Sequence, residues 1–304
     1  MKRSSLTRAL TRAPLYTILI VSSLAMAFPL AYMLVGSFAS IPDYIRRPAF
    51  PYPTVPDFSN YMIIFDPART DMLKWVANTM VRVIWYILIP GTVAVLAGYV
   101  FAKLKFRGRD AAFLFLLSSM VLPGIVYEVP TFVMMARWPL AGGNDIFGQG
   151  GMGFVKQWPA LLIPGLVSVF YIFMMRQTFY TIPIDFEEAA RVDGAGTLRC
   201  LWNVYLPMLK PVLTVLVIFQ FVGIWNDYRW PLFVSTGNPS IYVVALGFQF
   251  LAQAGNGLKG MPNTVTDYPF LFALATCAIL PLIILFLFLQ KYFVEGVQGF
   301  AIKG

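Results

Sequence analysis

Apolar residues gather in six runs along this chain, near 15–38, 74–102, 111–136, 160–180, 209–235 and 269–293, and polar residues collect between them. The shortest run holds 21 residues, enough at about 1.5 Å per residue for a helix to cross about 30 Å of hydrocarbon. The pattern predicts an all-α integral membrane protein of six transmembrane helices, with both termini on the same side. Ala25-Met26-Ala27 imitates a signal-peptidase site, but apolar character continues beyond it to Phe38, so the first run reads as a retained span. The organisation expected is a leader at 1–14, a first span at 15–38 and a proline-rich segment at 39–73. A five-helix core follows at 74–293, then a tail at 294–304.

The polar intervals differ in kind. Residues 39–73 repeat proline and aromatic residues and predict largely extended chain. Between the third and fourth runs, 138–158 carries GGNDIFGQGGMG, and Gly148, Gly150 and Gly153 spell G-x-G-x-x-G. With no strand before it, this reads as a flexible lid or packing loop rather than a nucleotide site. Pro90 and Pro123 mark breaks inside the second and third runs.

The interval 181–211, TIPIDFEEAARVDGAGTLRCLWNVYLPMLKP, is the polar island of the second half of the chain. Pro183 suits a first helical turn, Asp185, Glu187 and Glu188 favour a helix N-terminus, and Gly194 stands where a glycine stop belongs. A short helix of about two to three turns is predicted there. Ala189 and Ala190 leave a flat patch, Gly194 and Gly196 allow a corner, and Thr197 is placed to cap a second run toward Pro207.

Composition agrees with a membrane protein: 59% of residues are hydrophobic and 12% charged, against roughly a quarter charged in soluble domains. The net charge of +9 is a matter of topology. Fourteen Lys and Arg fall on the side of the termini and the 181–211 loop, and seven on the other: Arg46, Arg47, Arg69, Lys74, Arg137, Lys156 and Lys259. By the positive-inside rule the termini and that loop are cytoplasmic, and the basic excess is no nucleic-acid footprint. There is no histidine and there are two separated cysteines, Cys200 and Cys277, which excludes a histidine-based catalytic triad and a Cys/His zinc site. No G-x-x-x-x-G-K-[ST] occurs, the look-alike at Gly255–Gly260 ending in Lys-Gly, so ATP has no P-loop on this chain.

Charges inside the spans cost about 2.5–3.5 kcal/mol each on insertion scales and need a cavity or a partner. Arg82, Glu128, Asp227 and Arg229 fall at one depth, roughly 9–14 Å below the outer end of their spans. They fit either a structural ion-pair layer or the lining of a pathway. Around Asp227 stands WNDYRWPL, mixing aromatic faces with amide, carboxylate and guanidinium groups as sugar sites do. Gly223 lies one turn before Asp227 and opens space beside it, so Gly223, Asn226, Asp227, Tyr228, Arg82 and Glu128 are the candidate pathway residues.

Glu188-Ala189-Ala190, three residues, Gly194, nine residues and Val204-Tyr205-Leu206-Pro207 closely resemble the EAA signature of permease subunits in binding-protein-dependent ATP-binding-cassette importers. The fuller EEAARVDGAG and the WNDYRWPL run are similar to the carbohydrate and polyol branch, the maltose-type permeases. Further matches are Asn60-Tyr61, Asn78-Thr79, Met175-Arg176-Gln177, Ile182-Pro183, Asp267-Tyr268-Pro269 and the tail from Gln290 to Gly296, with Gln298-Gly299-Phe300 departing from small residues. The resemblance implies that 181–211 is a coupling loop docking on a cytoplasmic ATPase through Glu187, Glu188, Ala189, Ala190, Asp193 and Gly194. It implies a second permease subunit, two ATPase subunits that carry ATP and magnesium, an extracytoplasmic solute-binding protein, a sugar or polyol substrate and a prokaryotic inner-membrane location. No cofactor, catalytic residue or metal is expected on this chain. An ion-coupled secondary carrier is the rival reading, and it would not need the Glu188 loop. A membrane-embedded enzyme lacks a nucleophile–base pair in any span.

Overall fold

A computed structural model describes the backbone of residues 3–258 and 266–301, with side chains described over 14–254, 258 and 266–290. All regular elements among the described residues are helical. In chain order they are α1 (Arg3–Gly36), α2 (Ile41–Arg46), α3 (Ser59–Phe65), α4 (Met72–Lys103), α5 (Arg109–Ser118), α6 (Gly124–Ala136), α7 (Trp158–Leu162) and α8 (Val169–Thr181). Then come α9 (Asp185–Val192), α10 (Thr197–Cys200), α11 (Leu206–Met208), α12 (Lys210–Trp225), α13 (Arg229–Ser235), α14 (Val244–Leu258) and α15 (Tyr268–Ala301). A 3₁₀ turn, Ser119–Val121, follows α5, and a π-helical turn, Leu201–Tyr205, joins α10 to α11.

Among the described residues three helices are long and apolar enough to cross a membrane unaided: Pro14–Gly36, Met72–Lys103 and Tyr268–Gln290. Two bent pairs bring this to five, Arg109–Val121 with Gly124–Ala136 at 99° and Thr197–Met208 with Lys210–Trp225 at 77°. The first bend falls at Pro123, as expected, whereas α4 runs through Pro90 unbroken. The run at 160–180 is no single helix: α7 and α8 are separated at 163–168, where Gly165 has φ +82° after Pro164. The carbonyls freed there are satisfied from α4. Trp85 Nε1 donates to Leu162 O at 3.0 Å, and the Tyr86 hydroxyl reaches Leu161 O and Pro164 O. The run at 209–235 is likewise broken, at 226–228 between α12 and α13, and α14 lies between the fifth and sixth apolar runs.

The chain divides into two compact units. The first holds Met1–Met72 and Phe248–Pro281. Here the 39–73 segment is not largely extended, since α2 and α3 form within it. α2 starts from Ser40, whose side chain accepts from Asp43 N, with Pro42 in the permissive first turn. Asp43 accepts from Thr54 Oγ1 at 2.7 Å and Asn60 donates to Ser37 O at 3.3 Å, so the segment is tied down by its polar side chains.

The second unit, Leu73–Gly247 with Leu282–Gly304, carries every candidate site residue. One core joins Tyr99, Phe113, Met175, Phe179, Leu201, Tyr205, Leu209 and Leu216. A second joins Met135, Ala160, Leu161, Val234 and Ile241. α4 runs past both: a Cβ on its Gly98 would stand 2.5 Å from Met175 Cβ, and its Asn78 donates to Ser240 O and Tyr242 O at 3.0 and 2.8 Å. Of the two readings of 138–158, flexible lid or packing loop, the structure has the second, with Asn144 Nδ2 donating to Ala136 O and Trp138 O at 2.9 and 3.0 Å. The expectations for Lys259 and for Lys303-Gly304 fall outside the described residues, and those for the side chains of Lys291 and of the tail from Tyr292 onward fall outside the described side chains.

Candidate functional site

The candidate residues fall into two groups in the second unit. The first is the knob formed by α9, α10 and the π-helical turn. α9 opens on Asp185, Glu187 and Glu188, which oppose the positive end of the helix dipole, and it closes on Gly194 at φ +79°. There the Ala195 N–H donates to Ala190 O at 2.9 Å, the bond that a left-handed residue at this place makes possible. Thr197 is the first residue of α10 rather than its cap, a place held by Gly196.

The two adjacent glutamates part company. Glu187 is 5% exposed. Its Oε2 accepts from the Tyr205 hydroxyl at 2.6 Å, and its Oε1 accepts from Arg191 Nη2 and Nε at 2.6 and 3.0 Å. Arg191 is thus taken by Glu187, four residues before it, rather than by the adjacent Glu188 whose partner it could have been. Burial pushes the Glu187 carboxyl up, but the Tyr205 and Arg191 hydrogen bonds and the nearby charges of Arg191 and Lys103 outweigh it and hold the group below the usual carboxylate range. The Tyr205 hydroxyl is pushed up by its own burial and by Glu187.

Glu188, Ala189, Asp193 and Gly194 are exposed and Ala190 is half-buried, and around them stand the exposed apolar side chains of Ile184, Phe186, Val192 and Leu198. The root of the knob is tied to the long helices. Lys103, the last residue of α4, donates to Ile182 O at 2.9 Å, and Tyr205 packs against Phe179 and Tyr99 with ring centroids 5.5 and 5.6 Å apart. Tyr205 and Lys103 were missed as members of this group. The four-residue spacing of Glu187 and Arg191 was legible, but the partner eighteen positions on was not.

The second group surrounds the break between α12 and α13. Arg82, on α4, is 1% exposed, and its Nη2 donates to Asp227 Oδ2 at 2.7 Å. Its Nε and Nη1 are buried without a protein acceptor. Asp227 Oδ1 accepts from Trp230 N at 3.3 Å, so one carboxylate holds both the guanidinium and the start of α13. Glu128 pairs instead with Arg229, Nη2 to Oε2 at 2.8 Å. Asn226 closes α12 by donating to Val222 O at 2.9 Å and is exposed with Gly223 and Tyr228. A Cβ on Gly223 would meet nothing within 4 Å. The layer therefore has two faces: the Arg82 guanidinium, buried on α4 and paired to a half-buried Asp227, and an open face of small and polar groups at Gly223, Asn226 and Tyr228.

Among the described residues no set of three or more His, Cys, Asp or Glu is placed to hold a metal. Residues 94–299 match the family described as the binding-protein-dependent transport system inner membrane component. The chain is 27% identical over its full length to the full length of the arabinooligosaccharides transport system permease protein AraQ of Bacillus subtilis. It is 31% identical to the maltodextrin transport system permease protein MdxG of the same organism, over 79% of this chain and 78% of that one. Among solved structures, a bacterial ABC transporter involved in the import of alginate superposes with a TM-score of 0.74 at 25% identity, over 96% of this chain and 98% of that chain.

Proposed function

The chain belongs to the family of inner-membrane components of binding-protein-dependent transport systems, and from that premise we propose that it carries an oligosaccharide or related polyol along the open face at Gly223, Asn226, Asp227 and Tyr228. It is a permease subunit of an ATP-binding-cassette importer, with ATP hydrolysis on separate subunits. The sugar class follows from the relatives, which carry arabinooligosaccharides and maltodextrin. ATP and magnesium belong in this reading to the cassette subunits. The termini and the knob face the cytoplasm, on the positive-inside count.

One observation carries the mechanism: the helices that root the knob also hold the charged layer. α4 is tied to the knob by Lys103 and to the layer by Arg82. α12 follows the π-helical turn that holds Tyr205 through α11 and a 77° bend, and it ends at Trp225, just before Asn226 and Asp227. Closure of the cassettes on ATP would move α9, whose exposed Glu188 and Ala189, with Gly194 just past its end, form the docking face. The Glu187 bonds pass the movement to the helix roots, and rigid α4 and α12 convert it into opening or closing of the pathway at the layer.

The test is uptake of labelled maltodextrin and arabino-oligosaccharide into vesicles containing the complete complex. Uptake should require ATP, the cassettes and the loaded solute-binding protein together. Uptake driven by an ion gradient without cassettes would establish the secondary-carrier reading instead.

A further inference from the structure

The 77° bend ahead of α12 leaves a cavity against α4. Its volume is about 290 Å³, and it is lined from α4 by Ile87, Gly91 and Val95, from the π-helical turn by Trp202, and from α12 by Leu213 and Val217. The one hydroxyl in the lining, on Thr92, is spent within α4, donating to Leu88 O at 2.6 Å. A sugar would find no set of donors and acceptors there, so this cavity is no part of the pathway at the charged layer.

The mouth opens on the outward face of α4. Val81, Ile84, Leu88, Thr92 and Leu96 stand three or four residues apart, share one side of the helix and are exposed. Such a stripe on a spanning helix meets either lipid chains or another helix, and the shape of the cavity separates the two. The positions of α4 from 87 to 96 extend about 15 Å, so the volume has a section of about 20 Å², against about 80–110 Å² for a helix 10–12 Å across. One hydrocarbon chain fits, and a helix with its side chains does not.

One end of the cavity is charged. Lys210 stands three residues before Leu213 and seven before Val217, on the same side of α12, and Arg199 stands three before Trp202 on the knob side of the bend. Both are exposed, and among the described residues neither is paired with an acid. Trp202, itself 56% exposed, brings the indole that favours the membrane–water boundary. An apolar groove, a boundary tryptophan and two unpaired cations are the parts that hold a phospholipid by its chain and its phosphate.

We propose that this cavity binds one glycerophospholipid of the cytoplasmic leaflet, with an acyl chain along Ile87, Gly91 and Leu213 and its phosphate on Lys210 and Arg199. This inference rests on the functional reading above in one respect, that this end of α12 faces the cytoplasm. The cavity touches α4, the π-helical turn and α12 together, so a chain seated in it wedges the bend through which the knob is joined to the charged layer. Bound lipid thus favours the conformation in which the cavity is open, and acts as a ligand of the coupling joint.

The test uses the purified complete complex in nanodiscs of phosphatidylcholine, with added phosphatidylglycerol as the probe. Native mass spectrometry should find a phosphatidylglycerol retained on wild-type complex and lost when Lys210→Ala and Arg199→Ala are combined, whereas Lys210→Arg should retain it. Gly91→Leu should lose it too, by filling the groove. A Cβ at Gly91 stands 3.5 Å from Leu216 Cδ2, an ordinary contact, so the helices need not part to admit it. A photoreactive group on Leu213→Cys should label lipid. Equal retention by wild type and all the variants, or a crosslink from position 213 to the second permease subunit, overturns the proposal. Reaction of Lys210→Cys, above the wild-type background, with a membrane-impermeant thiol reagent outside intact cells overturns instead the topology on which it rests.

Discussion

At the scale of single residues, two adjacent glutamates hold opposite positions, and their variants should separate accordingly. Glu187 is the internal brace. Tyr205→Phe removes one hydrogen bond to a buried charge, which is worth about 1.5–3 kcal/mol, and should lower the sugar transported per ATP hydrolysed while the complex still assembles. Glu188→Lys should leave the α9 fold untouched, because Glu188 faces outward, yet abolish cassette-driven uptake. Transport and ATPase rates measured on the same vesicles check both. The brace also has a pH signature. A carboxyl held below its ordinary value contributes stability at pH above the unfolded value of about 4.3 and loses it as pH falls through the lower folded value. The loop should therefore be fully braced at neutral pH and loosen only in acid, which a carbon-13 titration of the Glu187 carboxyl would follow. Which glutamate turns inward was not legible from their sequence neighbourhood, because Tyr205 on the π-helical turn decides it.

Arg82 shows the same division. Its depth beside Glu128 and Asp227 was legible, but either partner fitted until the break at 226–228 set Asp227 against α4. Arg82→Leu would leave Asp227 uncompensated, costing about 3–5 kcal/mol if the carboxylate is fully buried, and less here because Asp227 keeps partial access. Folded yield and melting temperature should fall, and a second change of Asp227→Asn should recover part of the loss. Glu128→Gln should not, since Glu128 serves Arg229.

At the scale of elements, the runs were legible and their continuity was not. Hydrophobic periodicity places an apolar stretch in the membrane, but a helix stays whole only where its backbone groups have no better partner. Residues 163–168 come apart because Gly165 takes a positive φ and α4 supplies donors for the carbonyls. Tyr86→Phe should destabilise this break by about 1–3 kcal/mol, seen as faster hydrogen exchange across α7 without loss of α4. In the proposed pathway the second break has a different use. Gly223 and Asn226 lie on the open side of α12 at its end, so Gly223→Leu should cut transport sharply and Asn226→Ala mildly. Insertion and the basal ATPase rate should be preserved, and uptake titrated against sugar concentration would show the difference. The glycines of 138–158 fit a flexible lid or a packing loop alike, and Gly142, Gly148, Gly151 and Gly153 turn out to be places where backbone meets backbone.

At the scale of the molecule, six spans were expected, and the described residues hold three whole ones and two bent pairs. The functional geometry does not depend on that count. It depends on α4, an unbroken helix tied to both the knob and the charged layer. Its 32 residues extend about 48 Å at about 1.5 Å per residue, against about 30 Å of hydrocarbon. Such a helix either tilts or carries its surplus turns into water, and the balance is set by the lipid as much as by the protein. Hydrophobic mismatch therefore acts directly on the coupling machinery. In thin bilayers α4 must lean, swinging the Lys103 end that holds Ile182, and in thick ones it stands upright and draws that end toward the headgroups. Vesicles of short-, medium- and long-chain phosphatidylcholines should accordingly show an optimum in sugar transported per ATP, with ATPase activity less affected than transport on either side of it.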